Sequence, residues 1–303
     1  MTPSKNADLM LLGVTLLAAV SWIMSRNAVA LMPPLLFMSL RFLLAAALLA
    51  VAGHPRLREL DAGMLRRCLA GGLAFALAMT FWVMGISSAT HVGEGAFLTS
   101  LGVVLVPVMG RLLFREAQPR STWFALPVAG TGLALLALRH GFHPERGQLF
   151  YTASALIFAL SFHLNTRAVS PRPGPGIKPA PAIALTIIML AAVGVVCGTL
   201  SLLLEPWLRV LPHFSWAMTG WIVASAVAGT AARFLLQIHA QSLSSSTHSV
   251  IIMIMEPVWV ALLAAACFGE HMAGQQLAGC SLIFLAILIN RAAALRNWLV
   301  AGR

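Results

Sequence analysis

Arg26, Arg41, Glu94, Arg233 and Glu256 each stand inside a run of apolar residues. Burying such a group in hydrocarbon costs about 2.5–3.5 kcal/mol, so each needs a partner, an aqueous cavity or an interface. The chemistry open to them is charge pairing. Arg233 and Glu256 fall on consecutive antiparallel runs at depths differing by about 4–5 Å at 1.5 Å per residue, and are expected to pair as an inner closure. Gln237, one turn below Arg233, either completes that network or faces a neighbouring helix. The competing account of Glu256-Pro257 is a kink whose carboxylate caps freed backbone donors. Arg26 and Glu94 lie near the ends of their runs, where they join a gating network or snorkel to the outer headgroups.

A second group could hold cargo. Trp22, Trp82 and Trp259 lie well inside their runs, and Phe162 occupies the position equivalent to Trp22 in the repeat described below. Paired aromatic faces would cradle an apolar or planar substrate and attract an ammonium group, against ordinary helix packing as the alternative. His163, with Asn165 nearby, binds substrate or relays a proton, since imidazole titrates near neutrality, or simply bonds to a neighbouring helix. Trp123, Trp207, Trp216 and Trp298 sit near run ends as interface anchors. Thr90 and Thr247 are expected to cap the runs that follow them. Gly71, Gly72, Gly130 and Gly132 are expected to permit close helix contact, and the four cysteines to serve as small core residues. HExxH, GxSxG and P-loop patterns are lacking, no nucleophile stands beside Glu256 and His163, and no cofactor or metal site is indicated.

The elements that position these residues follow from composition. The 303 residues are 59% hydrophobic and 10% charged, with a mean hydropathy of +0.88, which excludes a soluble globular protein. Apolar runs occur at about 9–31, 34–52, 65–86, 92–114, 121–138, 148–168, 180–204, 215–239, 247–268 and 272–290. They predict an all-α integral membrane protein with ten transmembrane helices. The first run is read as a span and not a cleaved leader, because it is long enough to cross and Arg26 and Asn27 precede the Ala28-Val29-Ala30 triplet. Connections are terse except for the Pro/Gly-rich linker 170–181.

With the N-terminus inside, 14 of the 20 Lys and Arg fall on the inner side against three outside, Arg139, Arg146 and Arg209; Arg26, Arg41 and Arg233 lie within spans. Both termini are therefore expected in the cytoplasm, with the chain in the inner (plasma) membrane. The scattered cations form no nucleic-acid patch. Ala19-Val-Ser-Trp-Ile-Met-Ser-Arg-Asn-Ala-Val29 aligns with Ala159-Leu-Ser-Phe-His-Leu-Asn-Thr-Arg-Ala-Val169, and Ser87-Ser-Ala-Thr-His91 with Ser244-Ser-Ser-Thr-His248. Five helices per half reverse orientation, so residues 1–140 and 147–295 are expected to be inverted repeats with a substrate site near the midplane.

Phe234-Leu-Leu-Gln237, Ala240-Gln241, Glu256-Pro257-Val258 and Gly269-Glu270, in that order, resemble the second half of EamA-type transporters of the drug/metabolite transporter superfamily. Pro34, Arg41-Phe42-Leu43, the segment Phe97 to Pro107 and Arg115-Glu116 resemble the first half. The resemblance covers nearly the whole chain. It implies ten helices in two inverted repeats and movement of small metabolites, often amino acids or related compounds, with export favoured. Arg41 matches the family arginine, which implies a structural or cavity-facing role. The resulting expectation is a secondary transporter working by alternating access in the lipid bilayer, with protons as the candidate coupling ion. A passive facilitator and a membrane-embedded enzyme acting on lipid-linked substrates are the alternatives.

Overall fold

The computed structural model describes residues 5–115, 120–137, 145–169, 178–206, 210, 212, 214–243 and 255–290. The described residues are helical almost throughout: α1 (Lys5–Leu31), α2 (Pro34–Leu57), α3 (Ala62–Ser88), α4 (Val92–Phe114), α5 (Arg120–Ala137), α6 (Arg146–Val169) and α7 (Ala182–Leu204). Then α8 (Trp216–Ala226) runs through a π-helical stretch (Val227–Ala232) into α9 (Arg233–Leu243), and α10 (Glu256–Phe268) and α11 (Gly274–Asn290) follow. Thr247, His248, Trp207, Trp298 and residues 170–177 of the linker lie outside the described residues.

Local chemistry sets the ends. Pro34 opens α2, where its missing N–H costs nothing. Asp61 accepts from Met64 N at 2.7 Å to cap α3, and Ser215 accepts from Met218 N at 3.3 Å to cap α8. Gly269, at φ +62°, ends α10 in the left-handed conformation that glycine adopts without strain. The expected end of the second run near residue 52 is corrected: α2 continues to Leu57 through Gly53-His54-Pro55. Packing overrides the breakers here, for a Cβ on Gly53 would lie 2.7 Å from Ile187 Cδ1, and α7 fills that space.

Among the described residues seven helical segments are long and apolar enough to cross a membrane, one of them the continuous Trp216–Gln237 of α8, the π-helical stretch and α9, and Trp123–Leu135, Glu256–Phe268 and Gly274–Ile289 form shorter apolar helices. Leu73, Leu77, Phe124, Val195 and Leu262 face outward, an apolar exterior suited to lipid. The most extensive packing joins the first half of the chain to the second: α3 to α6 and α7, α2 to α7, α5 to α11, and α4 to α6, α10 and α11. α1 lies against α8, α9 and α10.

Small residues permit these approaches, since helices in lipid associate by close packing. Gly71 lies under Asn165, and Gly72 against Ala192. A Cβ on Gly130, however, would meet nothing within 4 Å among the described residues, so its expected packing role is corrected. Cys68, Cys197 and Cys280 are buried, but Cys267 is exposed on α10 and is no core residue. A Cβ on Gly132 would lie 2.8 Å from the Gly279 carbonyl oxygen and 3.0 Å from Ile283 N. Backbone cannot step aside as a side chain can. Gly132→Ala should therefore destabilise the protein by about 1–3 kcal/mol, while Gly130→Ala should stay within about 0.5 kcal/mol. Unfolding of the purified variants in detergent checks this, and equal losses would refute the α5–α11 contact.

Candidate functional site

Three polar clusters hold the helices together inside the apolar body. The most buried is built on Arg41, 3% exposed on α2. Its Nε donates to Thr230 Oγ1 at 2.8 Å, Nη1 to Ser25 Oγ at 2.7 Å, and Nη2 to Ser21 Oγ at 2.5 Å and to the Gly229 carbonyl at 3.5 Å. Phe37 and Phe42 lie 5.8 and 5.2 Å from the guanidinium carbon. The π-helical stretch makes this possible, because its wider turn carries Gly229 and Thr230 toward α2, and Thr230 bonds back to the Ser225 carbonyl five residues earlier. Ser21 sits directly against Gly229. Arg41 is thus held by hydrogen bonds to α1 and to the π-helical stretch.

The second cluster carries the expected pair. Arg233 Nη2 lies 3.4 Å from Glu256 Oε2, with side chains 21% and 25% exposed. The other carboxylate oxygen accepts from Trp22 Nε1 at 3.2 Å. One carboxylate in the first turn of α10 therefore binds α9 and α1 together. Its oxygens go to side chains, which corrects the account in which Glu256 caps freed backbone donors. Gln237 lies half-buried one turn along α9.

Trp22 packs edge-on against Trp82, with ring centroids 4.7 Å apart, and lies 5.8 Å from the Tyr151 ring. The expected partner was Phe162, and that pairing is corrected. Phe162 is 51% exposed and points away from the buried tryptophans. The repeat alignment fixed its position along α6 but not the helix rotation, which buries Tyr151 instead. His163 is buried, and its Nε2 lies 2.7 Å from the Val106 carbonyl oxygen of α4. The imidazole holds a neighbouring helix there. Asn165 packs on Gly71, eleven residues and about 16 Å along α3 from Trp82 at 1.5 Å per residue. The three α6 residues therefore do not gather around Trp22. Trp259 is half-buried on α10, with its Nε1 enclosed and unpartnered.

The third cluster closes the N-terminal ends of α4, α6 and α11. Glu94, 5% exposed, accepts from Gln148 Nε2 at 2.6 Å and Gln276 Nε2 at 2.9 Å. Arg26 donates to the Ile86 carbonyl at 2.5 Å, satisfying an otherwise orphaned group in the last turn of α3. Neither residue snorkels. Thr90 was expected to cap α4 and does not: it donates to Glu145 at 2.8 Å, and α4 is capped from afar. Glu270 accepts from Val92 N at 2.9 Å and Gly93 N at 3.2 Å. Glu205 does the same for α2, accepting from Leu35 N and Leu36 N at 2.8 and 2.9 Å and from the Ser201 hydroxyl. Anionic side chains at helix N-termini are favoured by the unpaired N–H groups there.

Sequence reasoning missed Tyr151, Gln148, Gln276, Glu205, Ser21, Ser25 and Thr230 as members of these clusters. Tyr151 carried one usable signal, as the sole tyrosine in the chain. Glu205 stands at the end of its apolar run, where a carboxylate is commonplace, and the others are short hydroxyls or amides that any helix interface can absorb.

A helical membrane protein whose buried charged side chains are tied by hydrogen bonds between the first and second halves of the chain is the class that fold and site define. The model of the EamA-like transporter family matches residues 5–138 and again 146–292, so the chain belongs to that family, a membrane transporter family of the drug/metabolite transporter superfamily. A solved crystal structure, 19% identical, superposes with a TM-score of 0.61 over 95% of this chain and 98% of its own, which shows a shared fold. No curated protein matches the sequence.

Ser25 Oγ already donates to the Ser21 carbonyl and Thr230 Oγ1 to the Ser225 carbonyl, so these hydroxyls serve Arg41 only as acceptors. Removing acceptors strands a desolvated charge, whereas removing the arginine strands no donor. A Ser21→Ala/Ser25→Ala double variant should lose about 3 kcal/mol or more, at about 1.5–3 kcal/mol per bond to a charged group, and more than Arg41→Met. Detergent unfolding of both decides it, and a greater loss in Arg41→Met would show that the charge itself stabilises the fold.

Proposed function

We propose that this protein is a secondary transporter that moves a small amphipathic metabolite, an amino acid or related compound, by alternating access and in the export direction. The observation that carries the reading is the carboxylate of Glu256 held between Trp22 and Arg233, a charged contact joining α1 to α9 and α10 across the two halves. A pair of this kind, about a quarter exposed, is strong enough to close a path and weak enough to part. The cargo site is read as the aromatic surface of Trp22 and Trp82, with Trp259 contributing from α10. Tyr151 replaces Phe162 in that set, and His163 and Asn165 act as positioning residues on α6.

The chain is read as ten crossings in two inverted five-helix halves, 1–140 and 147–295. Two matches to one family model support the halving. The packing of α2 on α7, and of α5 and α4 on α11 and α10, supports the two-fold relation, since an axis in the membrane plane sets corresponding helices against each other. The three shorter apolar helices cross as members of the bundle, screened from lipid on part of their surface. Cytoplasmic termini in the inner membrane follow from the Lys and Arg asymmetry. Single cysteines introduced at positions 5 and 300, in a background without native cysteines, should resist impermeant thiol reagents in intact cells and react after permeabilisation. Labelling of either site from outside would invert the topology.

Transport is tested in liposomes by counterflow of a mixture of radiolabelled standard amino acids. Saturable counterflow is expected, and its absence would sink the amino-acid reading. Glu256→Gln and Arg233→Gln should each lower the rate by about tenfold, equivalent to roughly 1.4 kcal/mol, and the double variant should recover part of that loss. A double-mutant cycle with no coupling would show that the two charges act independently.

A further inference from the structure

The outer cluster around Glu94 has a chemistry that the inner pair does not explain. A carboxylate without an ion-pair partner among the described residues is held there by two neutral amides, one from α6 and one from α11. The Gln276 amide is oriented by the backbone: its Oε1 accepts from Ala273 N at 2.9 Å, so its Nε2 is left to donate. Beside Glu94 lies a cavity of about 10 Å³ walled by Gln148, Tyr151, Glu145, His91 and Gly95, room for about one water molecule. Tyr151, 1% exposed, lines it with a hydroxyl that has no hydrogen-bond partner among the described residues. The ring is fixed between Gly85 and Gly95, where any Cβ would collide with it. Its other neighbour is Trp22, whose indole holds Glu256.

We propose that Glu94 is a proton-binding site and that its protonation unlocks the outer side of the transport path. Ionised, Glu94 accepts from both amides and ties α4 to α6 and α11. One proton from water on the outer side forms an O–H bond at Oε1. The group then donates there, and Gln148 must turn its amide to present an oxygen instead of its NH₂. Gln276 keeps its bond to Oε2. The α4–α6 tie is remade in a different geometry beside Tyr151, and the clamped ring carries the change toward Trp22 and the inner pair. Release to the same water reverses the step. The titratable and charged groups facing Glu94 are His91 and Glu145 at the rim, Tyr151 on α6, Glu270 beyond α10, Cys280 on α11 and, across Tyr151, Arg26 on α1. Arg66 and Arg67 on α3 and Arg120 on α5 lie at the far ends of their helices. Coupling to transport rests on the function proposed above; proton binding does not.

The full-length protein in lipid, followed by infrared difference spectroscopy between neutral and acidic buffer, tests the site without any cargo. A protonated carboxylic-acid carbonyl band should grow on acidification, persist in Glu145→Gln, vanish in Glu94→Gln and shift in frequency in Tyr151→Phe. A band that survives Glu94→Gln overturns the proposal. If Glu94→Gln does not yield folded protein, Tyr151→Phe decides, and an unshifted band overturns it. In liposomes, acidifying the outer side should accelerate wild-type amino-acid counterflow several-fold and leave Glu94→Gln without that response. Wild-type counterflow indifferent to the pH gradient overturns the coupling. A Glu94 band without any counterflow upholds the proton site and counts against the transport reading instead.

Discussion

Inside hydrocarbon no water is at hand to satisfy a polar group, so each one must find its partner within the protein. Arg41 shows how far that constraint reaches. Its guanidinium fixes the rotation of α1, through Ser21 and Ser25, and of the π-helical stretch between α8 and α9 through Thr230. The α-helical pitch alone would not bring both Gly229 and Thr230 to it, and the chain departs into a π-helical stretch at that point. One buried charge thereby sets the register of three helices. The aromatic rings of Phe37 and Phe42 lie within cation–π distance of it.

The same constraint explains the long-range caps. Helix N-termini leave N–H groups unpaired, and in most proteins a neighbouring Ser, Thr, Asp or Asn covers them. Here Glu205, at the end of α7, covers α2, and Glu270, just beyond α10, covers α4. Each carboxylate belongs to the second half of the chain and each capped helix to the first. The caps therefore fasten the two halves on one side of the molecule, while the Glu256 carboxylate joins them elsewhere through Trp22.

Aromatic packing lies between these ties. Trp22 touches Trp82 and Tyr151 and also donates to Glu256, so a single indole stands between the aromatic surface and the charge pair. Tyr151 can take this position because Gly85 and Gly95 leave room for its ring. Phe162, three turns further along α6, faces outward.

The amino-acid sequence by itself determined that this is a membrane protein, where its main apolar helices run, and that Arg233 and Glu256 would meet. Those conclusions need only hydropathy, length and the depth of residues on consecutive helices, all of which are local quantities. It also marked Trp22, Arg26, Arg41 and Glu94 as residues that could not stand alone. Their partners were decided by tertiary structure. In a soluble helix a polar face betrays which side is buried. In these helices lipid and protein interior are equally apolar, so the sequence of α6 does not distinguish the face that buries Tyr151 from the face that exposes Phe162. Rotation is settled only when glycines, hydroxyls and amides on distant helices come together, and that is why Gln148, Gln276, Glu205 and Thr230 acquire their roles in the fold and not in the sequence.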